Sequence, residues 1–275
     1  MTIEEGRPET ASRNRRAFLL AGGAAVISGL AGCTGDGDQQ DSPAATESDT
    51  ATDTPSPTAT ATVADGLSAH YTLDGDTPTD ASGNGNDATI NGDPDTGATG
   101  QVAGAYEFDG EDDFLSLPGF TPSDDSVSLA CWVNLDDLGT TGDYEGTQFH
   151  FWGDGSPQFE LVYFVRPDNS GSLEWWYYDG EETGVTETGE EPPIGEWAHI
   201  AGTYDDDNGE FALYLDGSEI GTASATIDAS FNGDNNLVGD HPGEDRWLDG
   251  RIDEVRFYDR ALSESEVQAL ASQSR

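Results

Sequence analysis

From Gly66 to the C-terminus, apolar side chains recur in short runs of period two, separated by clusters of Gly, Asp and Asn. Over 127–134, Val127, Leu129, Cys131 and Val133 alternate with Ser128, Ala130, Trp132 and Asn134. Similar runs predict strands over 67–73, 88–91, 105–108, 114–117, 148–152, 159–165, 173–178, 198–204, 211–215, 219–222 and 251–258. Asn208-Gly209 and Asp216-Gly217 fall between strands and read as hairpin turns. Helical spacing is convincing only near the end, where Ser263 and Glu266 form a capping box ahead of Val267, Ala269 and Leu270. This pattern predicts an all-β fold: a two-sheet antiparallel jelly-roll sandwich with one short C-terminal helix.

The first part of the chain follows other rules. Residues 14–20, with Arg15 and Arg16 ahead of apolar positions, resemble a twin-arginine export signal. The apolar stretch over 17–32 falls short of the ~20 residues that span a membrane comfortably, and it is rich in Gly and Ala, like a signal h-region. It ends in Leu30-Ala31-Gly32-Cys33, which resembles a lipobox, so Cys33 is the expected lipid attachment point. The other reading is an uncleaved signal anchor. Residues 1–32 are thus read as a signal peptide, 33–65 as a lipidated Thr/Ser/Asp/Pro tether, and 66–275 as the folded domain. The tether has too little apolar surface to offset its conformational entropy. It is a spacer that O-linked sugars can decorate, and the chain contains no Asn-x-Ser/Thr sequon.

Charge changes the picture next. The chain has 55 acidic residues against 10 basic ones, a formal net charge of −45, and every basic residue is Arg. Self-repulsion on that scale opposes compaction, but in molar salt the screening length falls to about 3 Å. The composition therefore points to a very salty habitat, such as that of a halophilic archaeon. Six Trp, nine Tyr and eleven Phe argue for a packed domain over an acidic disordered chain. Nucleic acid is excluded as a partner, because phosphate binding needs clustered Lys and Arg.

Four blocks carry a family resemblance. Residues 80–88 (DASGNGNDA), 105–114 (AYEFDGEDDF), 197–205 (WAHIAGTYD) with 212–217 (ALYLDG), and 250–258 (GRIDEVRFY) with 260–263 (RALS) occur in that order. Together they resemble LamG-like jelly-roll domains of the concanavalin A-like lectin/glucanase fold, across nearly all of 66–272. The resemblance implies a binding or adhesion module, although fold alone does not fix a ligand. It also implies a structural Ca²⁺, for which Asp80, Asn84, Asn86 and Asp253 are the expected oxygen donors. Asp253, in phase with Val255 and Phe257, is read as facing the apolar side, where a carboxylate needs a partner or a cation. The alternative is that Asp253 accepts backbone hydrogen bonds and Asp80 starts a turn.

Three neighbouring segments supply the expected ligand face. In each, one set of alternate positions is wholly apolar and enters the core. The opposite set mixes polar groups with rings: Gln148, His150 and Trp152; Glu160 and Arg166; Glu174, Trp176 and Tyr178. Rings flanked by hydrogen-bonding groups suit a sugar, whose C–H faces stack while its hydroxyls bond. The alternative places these rings beneath residues 179–193 as satellite core.

Enzymatic chemistry has one candidate. Glu107-Phe108-Asp109-Gly110-Glu111 approaches the Glu-x-Asp-x-Glu of some glucanases, but Asp109-Gly110 is a turn signal that breaks the required alternation. The four His have no ligand spacing, and Cys131 reads as a buried hydrophobe. The resulting expectation is a non-catalytic, exported lipoprotein that binds a carbohydrate or a surface protein. A purely structural envelope protein ranks second and a glycoside hydrolase third.

Overall fold

A computed structural model describes residues 63–119, 126–136, 158–165, 171–178, 181–185, 188–227, 236–240 and 247–273. In chain order the strands are β1 (Leu67–Tyr71), β2 (Thr89–Asn91), β3 (Asp95–Thr99), β4 (Gly104–Asp109), β5 (Phe114–Leu117), β6 (Val127–Leu135) and β7 (Gln158–Val165). They continue with β8 (Gly171–Tyr178), β9 (Glu182–Val185), β10 (Ala198–Asp205), β11 (Glu210–Leu215), β12 (Ser218–Ser224), β13 (Asn236–Val238) and β14 (Asp249–Tyr258), ahead of helix α1 (Glu264–Ala271).

One large antiparallel sheet runs β12-β11-β10-β6-β14-β4-β3, with β1 also paired to β14. Two three-stranded sheets, β13-β5-β2 and β7-β8-β9, complete the described strands. A single apolar core joins all three: Leu129, Cys131 and Val133 of β6, Phe211 and Leu213 of β11, and Val255 and Phe257 of β14 pack with Leu115, Val238, Leu161 and Trp175 of the smaller sheets. The large sheet and the two small ones thus form the expected jelly-roll sandwich.

The other face of the large sheet is covered in part by α1, whose Val267 and Leu270 meet Ala130, Ala201, Tyr214 and Tyr258. The helix begins where the capping box predicts: Ser263 N–H donates to Glu266 Oε2 at 2.8 Å. Arg260 adds a 2.6 Å ion pair to the same carboxylate, and this guanidinium holds Glu266 down at a pKa of about 2. At the β11–β12 hairpin, Asp216 and Gly217 both have positive φ, as a two-residue primed turn requires.

β14 is the organising strand. Its first half pairs with β4 through Asp249–Ile252, and its second half pairs with β1 through Val255–Tyr258. The register against β6 shifts between Asp253 and Arg256, and Glu254 is left-handed at φ 54°. This bulge corrects the expected phase of Asp253. Ile252, Val255 and Phe257 all enter the core, so the extra residue puts Asp253 out of step with Val255. Asp253 is nonetheless fully buried.

Candidate functional site

Strands β7 and β8 pair in a regular register, with Glu160 opposite Trp176 and Val162 opposite Glu174. Phe159, Leu161, Tyr163, Leu173, Trp175 and Tyr177 all lie in the core, as their alternation predicts. Glu160, Glu174, Trp176 and Tyr178 therefore share the outward face of this small sheet. That face is not open: Glu160 is 1% exposed, Glu174 6% and Trp176 7%. Tyr178 is half-buried, and its ring meets the Trp176 indole edge-on at 6.3 Å between centroids. Gln148, His150, Trp152 and Arg166 lie outside the described residues.

Residues 182–185 and 188–191, part of the stretch considered as a cover, run beside β8. Strand β9 pairs with it from Trp175 to Tyr178. Leu173 N–H donates to Glu190 C=O at 2.9 Å, Thr188 Oγ1 to Leu173 C=O at 2.8 Å, and Gly171 N–H to Glu191 Oε1 at 2.8 Å. The stretch thus extends the sheet at the level of these contacts.

The Asp80 loop is knitted by hydrogen bonds. Asp80 Oδ1 accepts from His70 N–H at 3.0 Å and Ser82 N–H at 2.8 Å. Its Oδ2 accepts from Ser82 Oγ at 2.8 Å and Asn86 N–H at 3.0 Å. These donors outweigh the effect of burial and lower its pKa. The amide nitrogens of Asn84 and Asn86 donate to backbone carbonyls of β1, at Leu67 and Ser68. A calcium ion at Asp80 would share these oxygens with the N–H and O–H donors.

Asp253 differs. Oδ2 accepts from Val102 N–H at 2.7 Å, whereas Oδ1 is buried and has no hydrogen-bond partner. Burial raises its pKa to about 7, with repulsion from Glu254 and Asp74 adding to the shift. None of the four donors bound to Asp80 is bound to Asp253. A carboxylate oxygen this buried, with a second carboxylate nearby, does fit a hard cation.

Glu254 was not singled out in the sequence. It is 4% exposed, accepts from Arg256 and lies 2.9 Å from His70 Nε2. Two consecutive acids within the apolar run Ile252-Asp253-Glu254-Val255 are the mark that reveals such a bulge. His199 is fully buried, held neutral by burial at a pKa of about 3, with neither ring nitrogen hydrogen-bonded. Its ring meets Trp132 edge-on at 5.3 Å.

The possible glucanase triad does not line one strand. Glu107 binds Arg251 at 3.0 Å, β4 ends at Asp109, and Gly110 turns the chain at φ 73°. Cys131 is a buried free thiol whose pKa burial raises.

The family model described as concanavalin A-like lectin/glucanases superfamily matches residues 109–268, more than half of the chain. Its description spans both binding and hydrolytic members. No curated protein matches the chain. Among solved structures, domain 4 of AbnA, a GH43 extracellular arabinanase from Geobacillus stearothermophilus in complex with arabinotriose, is 26% identical with a TM-score of 0.62. The match covers 75% of this chain and 98% of that one. The binding domain of Paraclostridial Mosquitocidal Protein 1 is 18% identical at TM-score 0.51, over 76% of this chain and 52% of that one. The botulinum neurotoxin serotype D binding domain is 11% identical at TM-score 0.53, with the same coverage. The last two likenesses show the fold alone, and this chain spans about half of each.

Proposed function

We propose that this chain, which belongs to the concanavalin A-like lectin/glucanases superfamily, is a non-catalytic carbohydrate-binding module held at the outer face of the cell membrane by a lipid on Cys33. The observation that carries this reading is the likeness to the arabinotriose-bound domain, which extends over 98% of that structure. The ligand face is the outward row of β7 and β8, entered beside the half-buried Tyr178, with Trp176, Glu160 and Glu174 behind it. Gln148, His150, Trp152 and Arg166 complete the proposed set. Titration calorimetry of the full chain in molar salt with arabinotriose tests it, alongside a hydrolysis assay on arabinan and β-glucan. Heat of binding without product supports the module. Product formation sinks the non-catalytic half of the reading.

A second reading, a structural protein of the cell envelope, draws on the 7% exposure of Trp176, which is also what a core residue would show. Under it, no glycan binds and Trp176→Ala unfolds the domain.

Calcium enters the proposal as a structural ion at Asp253, supported by its buried, unpartnered Oδ1. Calcium added to chelator-treated chain should then raise its melting temperature, and Asp253→Asn should remove the response. A melting temperature indifferent to both calcium and chelator rules the ion out.

A further inference from the structure

We infer that the open cavity beside the start of β1 is a second ligand site, separate from the β7–β8 face and independent of it, and that it takes one uncharged, hydroxyl-rich ring such as a single sugar residue. The cavity has a volume of about 330 Å³. Ala64, Gly66, Leu67 and Ser68 line one side of it, and Asn84 and Asn86 line the other. None of these residues belongs to β7, β8 or β9. The volume lies at the small end of the ~300–1,000 Å³ typical of small-molecule sites, which suits one ring better than a chain of them.

The amides of this cavity are fixed at one end and unused at the other. Asn84 Nδ2 donates to Leu67 C=O at 2.8 Å and to Ser68 C=O at 3.1 Å, and Asn86 Nδ2 donates to Ser68 C=O at 2.8 Å. Only an N–H can face a carbonyl, so these bonds settle which way each amide points. Both Oδ1 atoms are turned away from those carbonyls. Neither they nor the Ser68 hydroxyl has a hydrogen-bond partner among the described residues. The walls are held as well. Asn86 N–H donates to Asp80 Oδ2 at 3.0 Å, Arg260 Nε to Asp65 C=O at 2.7 Å, and Asp259 N–H to Gly66 C=O at 2.9 Å. Little ordering entropy therefore remains to be lost when a ligand binds.

This pattern of donors and acceptors selects the ligand. Two amide oxygens call for donors, and the Ser68 hydroxyl both donates and accepts, so neighbouring hydroxyls on one ring match all three groups. An anion does not match: among the described residues no arginine lines the cavity, and Asp259 does. A bare calcium ion needs about 6–8 oxygens at ~2.3–2.6 Å. The side chains here offer only those of Asn84, Asn86, Ser68 and Asp259, and the Leu67 and Ser68 carbonyls already accept from the amides. The lining includes no aromatic ring among the described residues, so recognition rests on hydrogen bonds and not on stacking.

A ligand seated between the two walls should slow amide exchange in both. Hydrogen-exchange mass spectrometry of the full chain in molar salt, with arabinose as the probe, reads this directly. Peptides covering residues 64–68 and 82–86 are expected to exchange about 4-fold more slowly once free probe exceeds its Kd by about threefold, with those of β10 and β11 unchanged. Asn84→Ala, at an exposed position and checked for folding by circular dichroism, should abolish the protection. Ala64→Phe, which leaves the side-chain bonds of the cavity in place and puts a ring at its wall, should do the same. Protection that persists in both variants, or that spreads evenly over the domain, overturns the inference. So does protection by calcium chloride without any by arabinose, which would make the cavity a cation site. No response to either probe also overturns it, and leaves the proposed β7–β8 ligand face to its own titration.

Discussion

The indole of Trp175 occupies the space that a side chain at position 202 would need. A Cβ built on Gly202 would lie 2.5 Å from Trp175 Cδ2, while the indole N–H donates to Thr203 C=O at 2.9 Å. Trp175 also stacks on Phe159 within the small β7–β8–β9 sheet at 5.1 Å, and its contact with Gly202 and Thr203 joins that sheet to the large one. A rigid ring with a fixed hydrogen bond cannot retreat easily. Gly202→Ala is therefore expected to destabilise the domain by about 1–3 kcal/mol, read as a lower melting temperature in molar salt. An unchanged melting temperature would mean that the two sheets are not locked at this point.

Acid should weaken the C-terminal helix first. The folded pKa of Glu266 is depressed to about 2 by Arg260 and the capping hydrogen bonds. Stability from this carboxylate is fully present above its unfolded value and is lost as pH falls from about 4.5 towards 2. Discounted for the part-exposed Arg260, the contribution is about 2 kcal/mol. Glu266→Gln should lower stability by that amount at neutral pH, and the difference from wild type should vanish near pH 2. Denaturant melts across this range would show it; a gap that persists at low pH argues against the pair.

The sequence was most informative where one face is buried. The alternation Val127, Leu129, Cys131, Val133 is the inner face of β6, and Phe159, Leu161 and Tyr163 of β7 with Leu173, Trp175 and Tyr177 of β8 lie in the core as their period predicts. Strand β3 was missed because Asp95–Thr99 buries none of its side chains, so no apolar period marks it, and its Asp, Gly and Thr read as turn. Short β9 and β13 each bury a valine, Val185 and Val238, but three or four residues are too few to display a period. The outward row of β8 could be placed but its cover could not, because period two assigns a face without saying what lies over it. Asp253 shows the other limit: one left-handed residue at Glu254 changed the phase of everything after it.

The proposed export and anchoring rest on residues 1–33. Lys retains charge but changes the arginine pair that the signal presents, so replacing Arg15 and Arg16 by Lys should leave precursor in the cytoplasm. Under the proposed lipobox, Cys33→Ser removes the thiol that would carry the lipid, and should release the domain from membranes or leave the precursor uncleaved. Fractionation and gel mobility distinguish these results. A Cys33 variant that behaves like the wild type on both counts would disprove the lipobox.

Ionic strength should control folding itself, and one loop shows why. Carboxylate oxygens of Asp109, Asp112 and Asp113 lie within 4.8 Å of one another, and Asp113 is 3% exposed. Burial raises its pKa, and repulsion from Asp109 and Asp112 adds to the effect. Each pair lies well inside the ~10 Å screening length of 0.1 M. Repulsion here is therefore nearly unscreened in dilute buffer and weaker in strong brine, and the same holds among the exposed acids of a chain with 55 acids and 10 bases. The domain is expected to unfold as salt is withdrawn, with divalent cations substituting in part. Asp112→Asn should flatten the dependence of melting temperature on salt, because it removes one charge of the three while leaving Asp113 its bonds from Asp93 and Asp109. A melting temperature that stays constant from dilute buffer to molar salt would refute the electrostatic account for the loop and for the domain.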